Sequence, residues 1–268
     1  MENTIYDRIG EGYTRHRRAD PRIVDAIVEL LGLPPGSAIA DVGAGTGSYS
    51  SALARRGYAV KAIEPSEVMR LQAEETERVE WLSCTAEAIP LPTGSIAAAI
   101  GIFSFHHFRD PAAGLAEMAR VSRGGSVLLF TFDPREAGNF WLSEYFADVW
   151  RAAFSVFPPI AEVSDMVSAS TKAGTTIHSF ELPHDLVDCF AAAGWCRPEM
   201  YLDPSIRSCM SAFAVADIDA VAQGIRVLTT DLESGLWDKR YRQLRSLERL
   251  DVGYRFVKST VGADILNV

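Results

Sequence analysis

Three glycines at alternate positions are the strongest indication of chemistry in this chain. Residues 41–47 read DVGAGTG and follow the apolar run 39–42. Because glycine has no Cβ, it permits a tight turn and lets a ligand approach the backbone closely. The dinucleotide fingerprint G-x-G-x-x-G would need a glycine at position 48, which is Ser48 here. The spacing therefore favours an adenosine cofactor other than a dinucleotide.

An acidic residue follows the next apolar run. Glu64 stands directly after residues 58–63, which the sequence predicts to be a strand. At the end of the second strand of such a unit, a carboxylate can accept hydrogen bonds from the two ribose hydroxyls of an adenosine ligand. The alternative is a glycine turn that serves packing alone, with Glu64 as a solvated strand end. The order of strand, glycine turn, helix and strand favours the ligand.

Five apolar segments alternate with helix-compatible segments over the first half of the chain. Asp110 and Pro111 predict one helix start, as an N-cap followed by a first-turn proline. Strands without polar alternation belong in a parallel sheet that is covered on both faces. The pattern therefore predicts a right-handed, doubly wound α/β domain. Its predicted strands are 39–42, 58–63, 79–84, 96–103 and 127–132, and its predicted helices are 49–56, 66–75 and 111–122.

This alternation breaks after Asp133. Residues 134–183 are rich in aromatic side chains and predict something other than sheet, either the lining of an apolar pocket or the core of a helical cap. Further on, the sequence predicts a helix at 185–193, a strand at 197–202, a largely helical stretch and a final strand at 253–260. We expect 1–133 to form an N-terminal cover helix and the cofactor-binding half of the core. We expect 134–183 to form a helical lid for the acceptor, and 184–268 to form the rest of the core with a helical insertion.

Composition argues against several classes of function. The chain has 26 Lys and Arg against 35 Asp and Glu, a formal net charge of −9, which disfavours a nucleic-acid partner. No apolar stretch has membrane-spanning length and the first residues contain no apolar signal core, so we expect a cytoplasmic protein without a membrane partner. The cysteines show no metal-binding spacing and are expected to be reduced thiols; they are Cys84, Cys189, Cys196 and Cys209.

These motifs resemble the class I S-adenosylmethionine-dependent methyltransferases, and specifically the small-molecule group that includes the ubiquinone/menaquinone biosynthesis and trans-aconitate methyltransferases. DVGAGTG resembles the motif that wraps the methionine moiety, and IEPSEVM at 63–69 resembles the second-strand motif. TAEAIPLPTGS at 85–95 is similar to the segment that reads the adenine edge. FSFHHFRDP at 103–111 is similar to the stretch that closes over the sulfonium. The resemblance is clear over residues 5–133.

The resemblance implies a seven-stranded, mostly parallel Rossmann-like sheet with a helical cap, S-adenosylmethionine as cofactor and S-adenosylhomocysteine as product. It also implies an N-terminal helix over the cofactor, with Arg17 or Arg18 as the partner of the cofactor carboxylate. Thr85 departs from the family's pattern, because an Asp there usually contacts the adenine amino group, and Glu87 is the candidate replacement. Ala97 departs too, since an acid usually precedes the fourth strand. The residues implied to bind the cofactor are Tyr13, Arg17, Asp41, Gly43, Ala44, Gly45, Thr46, Gly47, Glu64, Pro65, Ser66, Met69, Thr85, Ala86, Glu87, Ile102, Phe103 and His107.

The reaction implied is methyl transfer to a small-molecule acceptor by in-line displacement, for which the protein aligns the reacting atoms and excludes water. No metal is required, and a general base is needed only where the acceptor keeps a proton. His106, His107 and Asp133 are the candidate catalytic residues. His106 is favoured as the base or acceptor-orienting group, and a structural histidine is the alternative.

Other residues and other functions stay open. Further acceptor candidates are His178 and His184, together with four arginines that either bind an acidic acceptor or form solvated salt bridges: Arg207, Arg226, Arg240 and Arg255. A nicotinamide-dependent oxidoreductase is disfavoured by Ser48. Arsenite methylation requires cysteine thiolates, and no cysteine precedes the glycine turn. The intact glycine turn and Glu64 disfavour a non-catalytic module that only binds the cofactor.

Overall fold

The computed structural model describes residues 13–138 and 140–262. It divides into two compact units, each built from separate stretches of chain. We call Ala19–Phe132, Pro158–His178 and the residues from Arg255 onward the sheet unit. The aromatic unit comprises the residues up to Arg18, Asp133–Phe157 and Ser179–Tyr254. Both units combine stretches from different parts of the chain, so neither coincides with one of the predicted stretches 1–133, 134–183 and 184–268. The functional roles of those stretches stay predictions.

A seven-stranded sheet carries the predicted fold class. Its spatial order is β3-β2-β1-β4-β5-β9-β6, and β1 pairs in parallel with both β2 and β4. The pairs β2–β3 and β4–β5 are parallel as well. The strand order reverses between β1 and β4, which is where open α/β sheets bind ligands. The strands are β1 Ala38–Val42, β2 Ala59–Ile63, β3 Val79–Leu82, β4 Ala98–Ile102, β5 Ser126–Phe132, β6 Thr175–Ser179 and β9 Tyr254–Thr260.

Helices precede, connect and follow these strands. Among the described residues the α-helices are α1 Tyr13–His16, α2 Pro21–Leu31, α3 Ser48–Arg55, α4 Glu67–Arg70, α5 Pro111–Val121, α6 Leu142–Tyr145, α7 Ala147–Val156, α8 Ile160–Thr171, α9 Pro204–Arg207, α10 Ser211–Val215, α11 Ile218–Glu233 and α12 Leu236–Tyr241. The 3-10 helices are Phe105–His107, Pro198–Leu202 and Arg242–Ser246. None of these helices combines the length and the apolar composition that crossing a bilayer requires.

The core of the sheet unit explains why β4 and β5 lack polar alternation. All five residues of β4 are buried, and so are the last six of β5, because helices cover the sheet. Leu115 and Met118 of α5 and Val163 and Val167 of α8 belong to one buried cluster with these strands. Full burial of each such side chain contributes about 1.5–3 kcal/mol. The N-cap prediction for α5 is confirmed, since the Asp110 side chain accepts the Ala113 N–H at 3.0 Å.

Four predictions from the sequence are wrong in whole or in part. Residues 197–202 form a 3-10 helix rather than a strand, because Pro198 lacks the N–H that a ladder requires. Residues 185–193 form turns rather than a helix. The strand that completes the sheet is instead β6, inside the stretch where no sheet was expected. The helix predicted at 66–75 ends at Arg70, since Leu71 is 78% exposed and no apolar face continues.

The aromatic unit is held by rings packed on one another. Trp141 is buried, and its indole N–H donates to the Trp195 carbonyl at 2.7 Å. The ring centroids of Trp141 and the buried Trp237 lie 5.4 Å apart. A two-stranded antiparallel ladder, β7 Leu182–Pro183 with β8 Arg249–Leu250, belongs to the same unit. The buried aromatic residues of the 134–183 segment behave as a core; they are Phe140, Trp141, Tyr145, Phe146, Trp150 and Phe180.

Candidate functional site

The glycine turn follows β1 directly and is fixed by main-chain hydrogen bonds. The amides of Gly43 and Ala44 donate to the Ile63 carbonyl at 2.8 and 2.9 Å, which ties the turn to the end of β2. Gly47 has φ 76° and immediately precedes α3, so the turn delivers the chain into a helix as predicted. This places the turn at the edge where the strand order reverses.

Two glycines of the turn have different reasons to be glycine. A Cβ on Gly43 would lie 2.4 Å from the Cβ of Ser104, so packing alone excludes a side chain there. A Cβ on Gly45 would meet only the terminal methyl of Met69 within 4 Å, at 3.4 Å, yet Gly45 also has φ 59°. The space beside Gly45 is therefore open, and a ligand can approach its backbone closely. The packing alternative explains Gly43 and leaves Gly45 available for binding.

Glu64 is a buried, bonded carboxylate rather than a solvated strand end. It is 9% exposed. One oxygen accepts the Gly45 N–H at 2.9 Å and the other accepts the Ser66 N–H at 2.9 Å. The guanidinium of Arg70 donates to the Glu64 main-chain carbonyl at 2.6 Å. The carboxylate thus bridges the glycine turn and the start of α4, where Ser66 is the N-cap and Met69 is buried.

Asp41, the acid that opens the motif, is buried at the end of β1. Its carboxylate accepts the hydroxyl of Ser50 at 2.6 Å. Burial raises the pKa of Asp41 to about 6, against the opposing effect of the Ser50 hydrogen bond and with a smaller contribution from the negative charge of Glu64. Two carboxyl groups at this edge favour a positively charged ligand.

Glu87 connects the segment that was predicted to contact the adenine edge with the loop that follows β4. One Glu87 oxygen accepts the backbone N–H groups of Arg109 at 2.8 Å and Asp110 at 3.2 Å. Partial burial raises the pKa of Glu87, but hydrogen bonds from its own backbone, Thr85 and these two amides outweigh it and hold the pKa below the usual range. Ala86 is buried beside it. This anchoring of the loop after β4 was not predicted from the sequence.

The loop that leaves β4 passes close to the glycine turn. Phe103 follows the buried Ile102 and has a backbone φ of 55°. Its N–H donates to the Phe130 carbonyl at 2.9 Å. The next residue, Ser104, is buried, and its hydroxyl donates to the Val42 carbonyl of β1 at 2.5 Å. The ends of β4 and β1 are thus joined by a side chain.

The two candidate histidines lie in the 3-10 helix that follows Ser104. The His107 N–H donates to the Ser104 carbonyl at 2.9 Å. His106 is half-buried and His107 is exposed, with ring centroids 3.8 Å apart. The structure therefore brings both histidines into the loop that Ser104 attaches to the glycine turn.

Other predicted site residues belong to the aromatic unit. Arg17 donates from Nε to the buried Asp188 at 2.6 Å, and Arg18 is exposed. Tyr13 begins α1, and its side chain lies outside the described part. Asp133 is buried, and one of its oxygens accepts both the N–H and a guanidinium N–H of Arg135, at 2.9 and 3.1 Å. The roles predicted for these residues stay predictions.

Most of the remaining acceptor candidates have partners within the protein. The ring of the exposed His178 contacts the Thr176 hydroxyl at 3.1 Å, and a ring nitrogen of His184 lies 3.4 Å from the Glu248 carbonyl. Among the arginines, Arg207 donates to the Tyr201 carbonyl at 2.6 Å, Arg226 donates to Gln223 at 2.5 Å, Arg240 forms an ion pair with Glu144, and Arg255 is buried. The salt-bridge interpretation thus holds for Arg240.

The aromatic unit also contains a cavity of about 230 Å³. Tyr145 and Phe146 line it on one side and Gly224 and Val227 of α11 on the other. The Tyr145 hydroxyl donates to Asp231 at 2.7 Å. Most buried rings of the aromatic segment thus form core, and the interpretation of the segment as the lining of an acceptor pocket stays a prediction.

Sequence reasoning missed the hydroxyls that fix this site. Ser50 lies in the first turn of α3, so a bond to Asp41 could have been expected from the short strand-to-helix turn. Ser104 gave no signal, because its partner Val42 is 62 residues away in the chain. The closeness of the Trp81 ring of β3 to Gly47 was not predicted either. A Cβ on Gly47 would lie 2.6 Å from that ring.

Comparisons with known proteins agree with this geometry. A family model described as a methyltransferase domain matches residues 40–130. Among solved structures, a candidate methyltransferase from an antibiotic biosynthesis pathway of Anabaena variabilis is 45% identical, with a TM-score of 0.89 over 92% of this chain and 100% of that chain.

Curated relatives match over shorter stretches. An uncharacterized methyltransferase from Geobacillus sp. (strain WCH70) is 30% identical over 129 residues, which are 47% of this chain and 61% of that protein. A demethylmenaquinone methyltransferase from Renibacterium salmoninarum is 28% identical over 192 residues, which are 70% of this chain and 76% of that protein. The chain thus spans less than two thirds of the Geobacillus relative.

Proposed function

Because the chain belongs to the class I S-adenosylmethionine-dependent methyltransferases, we propose that it methylates a small-molecule acceptor and releases S-adenosylhomocysteine. The observation that carries the proposal is the buried carboxylate of Glu64. It bridges the amides of Gly45 and Ser66 at the edge where the strand order reverses. A carboxylate in this position suits the ribose of an adenosine ligand.

The residues present fit such a cofactor. The open side of Gly45 leaves room for a ligand against the main chain, and Glu64 lies next to it. In this proposal residues 43–47 hold the methionine moiety, Glu64 and Ser66 face the ribose, and residues 85–87 line the adenine. The cofactor supplies a methyl group bonded to a positively charged sulfur. The acidic edge formed by Asp41 and Glu64 favours that positive charge.

The chain's own contribution to the reaction is alignment and exclusion of water. His106 and His107 lie on a loop attached to the glycine turn, and we assign them the acceptor side of the site. His106, which is half-buried, is the proposed acceptor-orienting group, and it takes a proton where the acceptor carries one. Asp133 suits a base less well, because its carboxylate is already paired with Arg135.

A small molecule is the acceptor class that the comparisons and the charge support best. The Anabaena protein is described as part of an antibiotic biosynthesis pathway, and the Renibacterium relative acts on demethylmenaquinone. The net charge of −9 disfavours a nucleic acid. The cytoplasmic location and the absence of a membrane partner stay predictions.

The competing functions meet specific obstacles. A nicotinamide enzyme would use a third glycine where Ser48 instead accepts the Ala19 N–H at 2.5 Å. Burial raises the pKa of all four cysteine thiols, which disfavours the thiolates that arsenite methylation needs. A non-catalytic module would bind the cofactor in the same way, so only a measurement of turnover distinguishes it from an enzyme.

Calorimetric titration with S-adenosylhomocysteine tests the proposal. We expect micromolar binding by the wild type, a loss of about tenfold or more in Glu64→Gln, and a comparable loss in Gly45→Ala. Gly124→Ala is the matched control for Gly45→Ala, because Gly124 also has a positive φ, of 81°, and nothing lies within 4 Å of the added Cβ. The control should bind like the wild type.

Two outcomes would contradict the assignment. Binding of a nicotinamide cofactor without binding of S-adenosylhomocysteine would favour the oxidoreductase. Tight binding without any S-adenosylhomocysteine release from S-adenosylmethionine, over a panel of small phenols, amines, thiols and carboxylic acids, would favour the non-catalytic module.

A further inference from the structure

Phe103 holds an unusual backbone conformation at the end of β4. Its φ of 55° lies in the left-handed region, which an aromatic residue adopts only when surrounding contacts impose it. Of the other non-glycine residues that do so in the described chain, Lys172 ends a helix and Arg78 lies in a turn before β3. Such conformations are ordinary at helix ends and turns, whereas Phe103 directly extends a central strand.

A main-chain hydrogen bond and a ring contact hold Phe103 against β5. The Phe103 N–H continues the ladder to the Phe130 carbonyl at 2.9 Å, and the two rings lie 4.7 Å apart. The left-handed residue turns the chain, so that Ser104 reaches across to β1 instead of continuing along β4. There its hydroxyl donates to the Val42 carbonyl at 2.5 Å. Its Cβ fills the space that a side chain on Gly43 would need.

The loop beyond Ser104 is anchored at its other end as well. The Ser104 carbonyl accepts the His107 N–H at 2.9 Å and thereby starts the 3-10 helix of the two histidines. Two and three residues after His107, the N–H groups of Arg109 and Asp110 donate to the Glu87 carboxylate. One anchor is therefore the glycine turn and the other is the segment proposed to line the adenine.

We propose that Ser104 is a positioning residue that couples the histidine turn to the cofactor-binding turn. When a ligand fixes the glycine turn, the Ser104 bond to Val42 fixes the start of residues 105–107 and with it the rings of His106 and His107. The inference rests on the proposed function, because it requires a ligand at the glycine turn. Ser104 acts through the histidines.

Histidine ring signals in nuclear magnetic resonance spectra give a readout that does not depend on an acceptor. The chain has five histidines, so a sample with labelled imidazoles yields a small set of signals, assigned with His106→Gln and His107→Gln. We expect saturation with S-adenosylhomocysteine to shift the signals of His106 and His107 in the wild type. In Ser104→Ala we expect the shifts to fall to about half or less, while the affinity stays within about fivefold.

Ser122→Ala is the matched control. Ser122 is also a buried serine of the sheet unit, and its hydroxyl donates to the Met118 carbonyl at 2.7 Å. Both variants thus lose one buried hydroxyl-to-carbonyl bond, so a general loosening of the fold would affect both equally. Wild-type shifts in Ser122→Ala together with reduced shifts in Ser104→Ala support the coupling. Equal shifts in the two variants overturn it.

Hydrogen exchange of the wild type tests the coupling even if Ser104→Ala does not fold. S-adenosylhomocysteine should slow amide exchange in the peptides that cover 43–47 and also in those that cover 103–110. Protection of 43–47 without protection of 103–110 overturns the coupling and leaves the proposed function intact. Failure of the wild type to bind S-adenosylhomocysteine overturns both.

Discussion

The sheet unit and the aromatic unit specify their structures in different ways. In the sheet unit, the Glu64 carboxylate reaches Gly45, which is 19 residues away, and Ser50 reaches Asp41, which is 9 residues away. In the aromatic unit, Trp141 donates to Trp195 across 54 residues and Tyr145 donates to Asp231 across 86. Apart from the Ser104 bond to Val42, which spans 62 residues, the proposed cofactor site is thus built largely from local contacts and main-chain amides, whereas the aromatic unit depends on long-range packing.

The difference predicts how each unit responds to a single substitution. Substitutions near the glycine turn should alter the affinity for the ligand or the charge of the site, as well as the stability of the protein. Changes in the aromatic core should alter stability alone. Substitutions in both units test this contrast, and the largest effect is expected at Gly43.

Gly43→Ala should be the most damaging of these changes. The added Cβ would lie 2.4 Å from the Cβ of Ser104, and Gly43 has φ 76°. Overpacking and the left-handed conformation together cost about 2–5 kcal/mol. Urea unfolding of the variant beside Gly124→Ala measures this, because the control carries the conformational cost without the clash. A loss of stability no greater than that of Gly124→Ala would show that Ser104 does not exclude a side chain at position 43.

The same contact shows what the sequence can predict. The glycine turn, Glu64 and the first five strands follow from apolar runs and turn residues that lie close together, and all of them were predicted. The position of Ser104 against Gly43 was not, because it depends on which strand lies next to β1 in space. A motif predicts its own local geometry, but not the neighbour that the fold brings to it.

Two of the wrong predictions lie in the aromatic unit. The composition of residues 197–202 predicted a strand. Tyr201 is instead buried in a turn-rich segment, where its hydroxyl donates to the Ala191 carbonyl at 2.7 Å. Residues 185–193 read as a helix, yet Asp188 is buried against Arg17, 171 residues away in the chain. Local pattern favoured regular elements in both places; a distant partner overrides it at 185–193, and Pro198 disfavours a strand at 197–202.

Asp41→Asn should make stability less dependent on pH. Burial raises the pKa of Asp41 from 3.8 to about 6, so the folded state holds its proton more tightly than the unfolded chain. The free energy of unfolding therefore falls as pH rises from about 4 to about 6, and the full penalty of about 3 kcal/mol persists above that range. The variant lacks this penalty.

Chemical denaturation at pH 4 and at pH 7 measures the effect. The stability of Asp41→Asn relative to the wild type should increase by up to about 3 kcal/mol between these two values. A relative stability that is constant over this interval would mean that Asp41 is already ionised at low pH in the folded protein. The comparison cancels the titration of the other carboxyl groups, which both proteins share.

Removing one hydroxyl from each unit gives the smallest and most direct comparison. The Tyr145 hydroxyl donates to Asp231 at 2.7 Å and the Ser50 hydroxyl donates to Asp41 at 2.6 Å. Tyr145→Phe should cost about 1 kcal/mol and leave the affinity for S-adenosylhomocysteine unchanged, because its partner belongs to the aromatic unit. Ser50→Ala should cost somewhat more, since Ser50 is fully buried, and it should also raise the pKa of Asp41 further, because the bond that opposes burial is gone. If Tyr145→Phe weakens the binding of S-adenosylhomocysteine several-fold, a change in the aromatic core alters more than stability and the contrast between the two units fails.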